Sequence, residues 1–295
     1  MFIANSILLG IEYGLLAVGV YITFRILDIP DLTVDGSFVL GMVVSAVVAT
    51  TGHPVLGLLL GLVAGAAAGA VTGFLITAAK INPLLAGIIT MTGLYTVNIT
   101  ILGGPNLTLL TATKVYSALQ AAVPGMTQIV AQYAVVIVVT FGITALLAVF
   151  FKTETGLSIR ATGDNEAMVR ASSINTSGIK VATIALANAL VALSGALLAQ
   201  YQGFADIGSG SGMIVVGLAS VIIGELVGGR FNVTAGLFCS IAGSVIYRVI
   251  LALVLTGTSS ANAVKLISAC IVAIFLALPA IRQHFATRME RRRAK

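Results

Sequence analysis

Charged and nucleophilic residues are scarce in this chain, so the few that cluster stand out. The stretch Arg25-Ile-Leu-Asp-Ile-Pro-Asp-Leu-Thr-Val-Asp-Gly-Ser37 sets Asp28, Asp31 and Asp35 beside Arg25, and Pro30 and Gly36 interrupt any helix through it. Two readings fit. In one, a broken helix frees backbone groups that, with Asp31, Thr33, Asp35 and Ser37, line a path through an apolar medium. In the other, it is a charged surface turn with Arg25 paired to Asp28 or Asp31. A second stretch, Gln200 to Gly212, carries Gln202 and Asp206 on a pliable glycine-rich connection. It is not a phosphate loop, because no Gly-x-x-x-x-Gly-Lys-[Ser/Thr] occurs anywhere in the chain.

The longest charge-dense interval is Lys152 to Lys180, where Lys152, Arg160, Arg170 and Lys180 alternate with Glu154, Asp164 and Glu166. A helix start lies in its middle. Asp164 or Asn165 can accept from free backbone N–H groups, and Glu166 suits the positive end of the following turn. The run Glu166–Ala171 then predicts a short helix with Ala167, Met168 and Ala171 to one side. It reads either as a surface gripped by a cytosolic partner or as a solvated loop. No Ser/His/Asp, Cys/His or paired-carboxylate set points to catalysis. His53 and His284 are isolated, and Cys239 and Cys270 fall inside apolar runs as small core residues. The sequence thus predicts no catalytic residue and no metal site.

The elements that must position these groups are apolar. Of the 295 residues, 58% are hydrophobic and 9% charged, and the mean hydropathy is +1.09. Runs of about 20 apolar residues between short polar breaks predict an all-α polytopic membrane protein. The alternation a barrel requires is absent. The 32 glycines suit helices packed closely in lipid, and Gly57, Gly61, Gly65, Gly69 and Gly73 form one continuous small-residue face. Nine spans are predicted, over about 3–24, 35–51, 54–79, 83–103, 129–151, 179–202, 210–228, 233–255 and 261–281. The first reads as a retained span, not a signal peptide. The net charge of +6 arises from residues flanking spans and is no nucleic-acid signal. With the tail in the cytosol, only Lys114, Arg248 and Lys265 of the 16 Lys and Arg residues fall away from that side. The expected orientation is N-terminus outside and C-terminus cytosolic.

A shift of 175 residues places Asp31-Leu32 on Asp206-Ile207 and superposes the spans that follow. An odd number of spans separates the copies, so they run in opposite directions. The expected organisation is one membrane domain over 1–295. Its parts are repeat one at about 3–103, a central helix at 129–151 and a cytosolic loop at 152–178. Repeat two follows at about 179–281, then a basic tail at 282–295. Polar residues within spans are few: Glu12, Asn98, Asn188, Ser194, Ser220 and Arg248. Asn98, Asn188 and Ser220 join the candidate path residues, and Glu12 and Arg248 read either as a pair or as separate, structural ends. The segment Gly104–Gln128 is apolar enough to form a short interfacial helix.

The chain resembles the permease subunits of ABC importers in the branched-chain amino acid and ribose permease family. The resemblance rests on Pro30-Asp-Leu-Thr-Val-Asp-Gly-Ser37, Gly156-Leu-Ser-Ile-Arg-Ala-Thr-Gly-Asp-Asn165 and Gly195-Ala-Leu-Leu-Ala-Gln-Tyr-Gln-Gly-Phe-Ala-Asp206. It is strongest to a subgroup paired with lipoprotein-type binding proteins and proposed to import aromatic amino acids. The resemblance implies a type II importer in a bacterial inner membrane. The expected partners are a second permease copy, two cytosolic ABC ATPases and an extracytoplasmic substrate-binding protein. ATP and Mg would sit on the ATPase, with no cofactor on this chain. It also implies that the segment matching Arg160, Ala161, Gly163, Asp164 and Asn165, with Glu166, Met168 and Arg170, forms the coupling helix. The family usually has Gly-Ile just after that helix, where this chain has Ser173-Ile174. A secondary transporter driven by an ion gradient is the alternative, but the chain is poor in the intramembrane ionisable groups it would need.

Overall fold

The computed structural model describes residues 2–122, 125, 127–229, 232–256 and 268–273. Helix α1 (Phe2–Tyr21) runs on into a π turn (Ile22–Ile26) and is followed by α2 (Val34–Thr50), α3 (Pro54–Thr77) and α4 (Pro83–Leu102). Strand β1 (Asn106–Thr108), α5 (Val115–Ala122) and α6 (Gln128–Phe150) lead to the short pair α7 (Glu154–Asp164) and α8 (Glu166–Ala171). Helix α9 (Thr176–Gln202), β2 (Phe204–Asp206) and a 3-10 turn (Ile207–Gly210) precede α10 (Met213–Gly228) and α11 (Val233–Thr256). Local chemistry sets several of these limits. Pro54 and Pro83 open helices where a missing N–H costs nothing, and Gly103 and Gly203 close α4 and α9 in the left-handed conformation.

Among the described residues, seven helices are long and apolar enough to cross a membrane. The exception among the first eight expected spans is α2. Its 17 residues extend about 25 Å, short of a bilayer core of about 30 Å, whereas the 16 residues of α10 reach a spanning length only together with the 3-10 turn before them, over Ile207–Gly228. Expected span 261–281 lies outside the described residues except for helical residues 268–273.

Helix α9 is the buried axis, packed against α1, α2 and α3. The glycine face of α3 explains how closely it approaches. A methyl group at Gly65 would meet the Asn188 carbonyl and Ala192, one at Gly69 the Ile184 carbonyl, and one at Gly73 the Val181 backbone. Helices α1 and α11 meet in the same way, with Gly10 on Val245 and Gly14 on Ile241. In lipid, such close backbone contact stands in for the hydrophobic drive that water would supply. The outer faces of α3, α4 and α6 bear exposed Leu59, Val63, Ile89, Val138 and Leu146, a surface suited to acyl chains.

One end of the bundle carries a two-stranded antiparallel ribbon that pairs Asn106 with Asp206 and Thr108 with Phe204. The expected interfacial helix there is α5, which the ribbon precedes. The other end carries the α7–α8 hairpin, where Gly163 sits so close that a methyl group would strike the Ile26 carbonyl.

Two expectations about polar groups are corrected. Arg25 pairs with neither Asp28 nor Asp31. Its guanidinium makes two 2.5 Å bonds to Glu225 at the far end of α10, because the π turn swings it toward that helix. Of the two readings of Glu12 and Arg248, contact between them is not seen: among the described residues Arg248 makes no close ion pair with Glu12, and it lies 3.9 Å from the Tyr13 ring centroid in a cation–π contact. Both oxygens of buried Glu12 lack a hydrogen-bond partner among the described residues. Cys270 is exposed, because its apolar helix turns that face outward, whereas Cys239 is half-buried.

Candidate functional site

Beyond Ile26 the chain turns back into the bundle. Asp28 takes a left-handed conformation with φ 55° to make the turn, a backbone state that costs any non-glycine residue about 1 kcal/mol or more. The chain then reaches the middle of α9, where Asp31 Oδ2 accepts a 2.6 Å bond from Asn188 Nδ2. Asp31 Oδ1 accepts from the Thr33 backbone N–H at 2.9 Å, one turn before α2 is under way. The Thr33 hydroxyl lies 2.8 Å from that of Thr72 on α3, which donates to Thr90 on α4 at 2.9 Å. Asp31, Thr33 and Asn188 are all buried. The start of α2 is therefore a polar knot inside the bundle, pinned to three other helices.

A second helix begins at the same place. The Gly212 and Ile214 backbone N–H groups donate to the Asp35 carboxylate at 3.0 and 2.8 Å. These are free donors at the first turn of α10, and a carboxylate there also meets the positive helix end. Asp35 itself lies in the first turn of α2. The two helix N-termini thus converge on one side chain. From there α2 runs to the ribbon end and α10 to the hairpin end, where Glu225 holds Arg25.

Against this junction lies a cavity of about 550 Å³ lined by Asp35, Gly36, Val39, Met91, Tyr95, Asn98, Pro105, Asp206 and Gly210, among others. Asn98 donates to the Gly36 carbonyl at 3.2 Å, and its buried Oδ1 has no partner among the described residues. The cavity therefore combines carboxylates, a free amide acceptor and an apolar wall of Met91, Val39 and Tyr95.

The expected path residues separate into groups. Asp35, Asn98 and Asp206 line the cavity, while Asp31, Thr33 and Asn188 form the buried knot behind it. Ser37 is buried within α2. Gln202 lines a separate hollow with Asn106, Leu107 and Phe204, which Asp206 also borders. Ser220 is buried in α10 and donates to the Val216 carbonyl at 2.7 Å, where α11 approaches closely at Gly243. Sequence reasoning missed Tyr95 and Met91, whose α4 has almost no amphipathic contrast. It also missed Gln200, which donates to Ser45 and the Pro54 carbonyl and accepts from the Val115 N–H. Thr72 and Thr90 in otherwise apolar helices were the available signal for the knot.

The hairpin is built from caps. Thr153 accepts from Gly156 N, Asn165 from Met168 N and Asn175 from Gly178 N, opening α7, α8 and α9 in turn. Glu166 gathers Lys180 at 2.6 Å, Arg170 at 2.7 Å and Thr176 at 3.2 Å. The Lys180 hydrogen bond in particular holds its carboxyl below the usual range. Val169 is buried, whereas Met168 is 69% exposed and Ala167, Arg170 and Ala171 share its open side. Asp164 and Ala161 are also exposed, but Gly163 faces the Ile26 carbonyl and Arg160 faces the start of α11. Ser173 closes the hairpin with φ 61°, in the region that favours glycine.

The known proteins that this chain is similar to point one way. A family model described as "Branched-chain amino acid transport system / permease component" matches residues 2–278. A tyrosine transport system permease protein of Clostridioides difficile (strain R20291) is 35% identical over 265 residues, covering 90% of this chain and 86% of that protein. An uncharacterized protein of Rickettsia prowazekii (strain Madrid E) is 31% identical over 293 residues, covering 95% and 99%. No solved structure matches. With apolar helices long enough to cross a membrane and a match over nearly its whole length, the chain belongs to the family of permease components of branched-chain amino acid transport systems.

Proposed function

We propose that this chain is the membrane subunit of an ATP-driven importer in a bacterial inner membrane, passing a small amino-acid-like solute inward. The observation that carries the reading is the convergence of the α2 and α10 N-termini on Asp35 beside an open cavity between α2, α4 and the start of α10. Discontinuous helices of this kind place partial positive charge and free backbone groups at mid-membrane, where a solute must exchange its water. Asp206 and the free Asn98 Oδ1 suit an ammonium group, and Tyr95 and Met91 suit an apolar or aromatic body. That combination agrees with the tyrosine named for the clostridial relative.

In this reading the helices before and after the hairpin are inverted repeats. Close packing of α3 on α9 and of α11 on α1, pairs that correspond under the 175-residue shift, supports it. The N-terminus is outside and the C-terminus cytosolic. A second copy pairs with this one to complete the path, and a binding protein delivers solute at the ribbon end. Two cytosolic ATPases, which carry ATP and Mg, dock on the hairpin. Met168, Ala167 and Arg170 on the open side of α8 form the contact, and Asn165 and Glu166 hold α8 in place. Arg160, Ala161, Gly163 and Asp164 on α7 connect it to the body.

The test is uptake of labelled tyrosine by vesicles holding the permease, its ATPase and its binding protein. ATP-dependent uptake that Met168→Glu abolishes, with loss of ATPase copurification but normal membrane insertion, supports the reading. Uptake that persists without ATP and collapses with an uncoupler supports transport driven by an ion gradient instead.

A further inference from the structure

We infer that the cleft between α6, α7 and α11 is a binding site for an anionic phospholipid, with Lys152 and Arg160 holding the phosphate. The cleft encloses about 550 Å³ and has two chemically distinct halves. Lys152, Arg160 and Asn232 form a polar floor, and Phe151, Val233, Ala235 and Phe238 form an apolar wall. Lys152 stands two residues beyond α6, an apolar helix of 23 residues, so the floor lies where a spanning helix leaves the hydrocarbon. Phospholipid headgroups occupy that level.

The two cations are available. The ion pairs among the described residues engage Arg25, Arg170 and Lys180, not Lys152 or Arg160. Glu225, which shares the adjoining hollow with Arg160, is already bonded to Arg25 through both of its oxygens. Two cations left without a carboxylate at a membrane surface make a site for a mono- or di-anion.

The wall distinguishes a lipid from a free phosphate. Phe238 stacks on Phe141 of α6 at 6.4 Å, and Val138, Phe141 and Val149 of α6 are exposed beyond it. An acyl chain leaving the cleft meets a continuous apolar track, which inorganic phosphate cannot use. Basic pockets between spanning helices at a membrane surface recognise anionic headgroups in this way.

The experiment uses the full chain in detergent, without its ATPase. Retained lipid is measured by native mass spectrometry after mixing with equal phosphatidylglycerol and phosphatidylcholine. Each cation near an anionic headgroup contributes about fivefold, so phosphatidylglycerol is expected at an excess of about tenfold or more. Lys152→Gln with Arg160→Gln brings the ratio close to one, and the charge-conserving Lys152→Arg restores most of it beside wild-type Arg160. On the wild-type chain, phosphatidylglycerol is expected to raise the melting temperature, while the same concentration of inorganic phosphate does not. Equal retention of the two lipids, or an unchanged ratio in the double variant, overturns the site. Equal stabilisation by inorganic phosphate shows a free-anion site and overturns the lipid assignment.

Discussion

Two short helices in this molecule, α10 and α8, begin on a polar side chain from elsewhere in the sequence or just before them, and they do so in opposite surroundings. The α10 N-terminus is held by Asp35, a residue of α2, inside the bundle. The α8 N-terminus is held by its own neighbour Asn165 on an exposed hairpin, with Glu166 tying the turn to Lys180 on α9. The same cap has different consequences. On the hairpin, water replaces a lost cap at modest cost. Beside the cavity, Asp35 and the Gly212 and Ile214 donors are part-buried, so water replaces the lost bonds less readily. The exposed cap tunes a local element, whereas the part-buried cap joins two halves of the chain.

The comparison is broken most directly at Asp35. Asp35→Ala removes the acceptor of both Gly212 and Ile214 and is expected to destabilise the whole bundle by about 2 kcal/mol, the sum of a cap and a part-buried donor left without its partner. Thermal unfolding in detergent measures this, and a loss no greater than that of Asn165→Ala would remove the distinction between the two caps. Asn165→Ala is expected to cost about 1 kcal/mol, confined to α8. Hydrogen exchange should rise at Glu166–Ala171 and stay unchanged in α10; a rise in both sinks the claim that the hairpin cap is local.

Acid sharpens the contrast. Because Lys180 holds the Glu166 carboxyl below its usual range, its stabilisation is complete above the ordinary carboxylate range. It is lost as pH falls through the depressed value. Protection of the α8 amides, taken relative to the intrinsic exchange rate at each pH, should therefore fall in acid for the natural chain, and in Glu166→Gln should be low and flat across the same range. Salt should weaken this effect, since Glu166 is part-exposed. The smallest change is expected at the hairpin exit. Ser173 has φ 61°, so Ser173→Gly relieves backbone strain at some entropic cost and should stabilise α8 by a few tenths of a kcal/mol, at most about 1. A loss of stability would show that the Ser173 side chain matters more than its backbone.

Much of the architecture was legible in the residue types. Long apolar runs, the glycine period of α3 and the cap at Asn165 all correspond to observed elements. The departure from the family at Ser173 marked the one left-handed residue that closes the hairpin. Less legible was everything set by contacts across the bundle. Val34–Thr50 is apolar and looks like a span, because hydropathy does not record where a helix begins relative to its neighbours. Arg25 had three nearby carboxylates in sequence and chose a fourth, Glu225, because a π turn redirected it. Tyr95 lies on α4, whose two faces differ so little in polarity that no periodic signal marks the one lining the cavity.

The close seat of Gly163 on the Ile26 carbonyl gives the hairpin a mechanical consequence. With no side chain between them to compress, a load on α7 passes almost without slack to the end of α1 and, through Arg25, to Glu225 on α10. Helix α10 has 16 residues, so it acts as a strut of about 24 Å whose other end bears on Asp35. Replacing that glycine with a longer side chain would work like a shim in a linkage, changing the travel delivered to the cavity without touching either end.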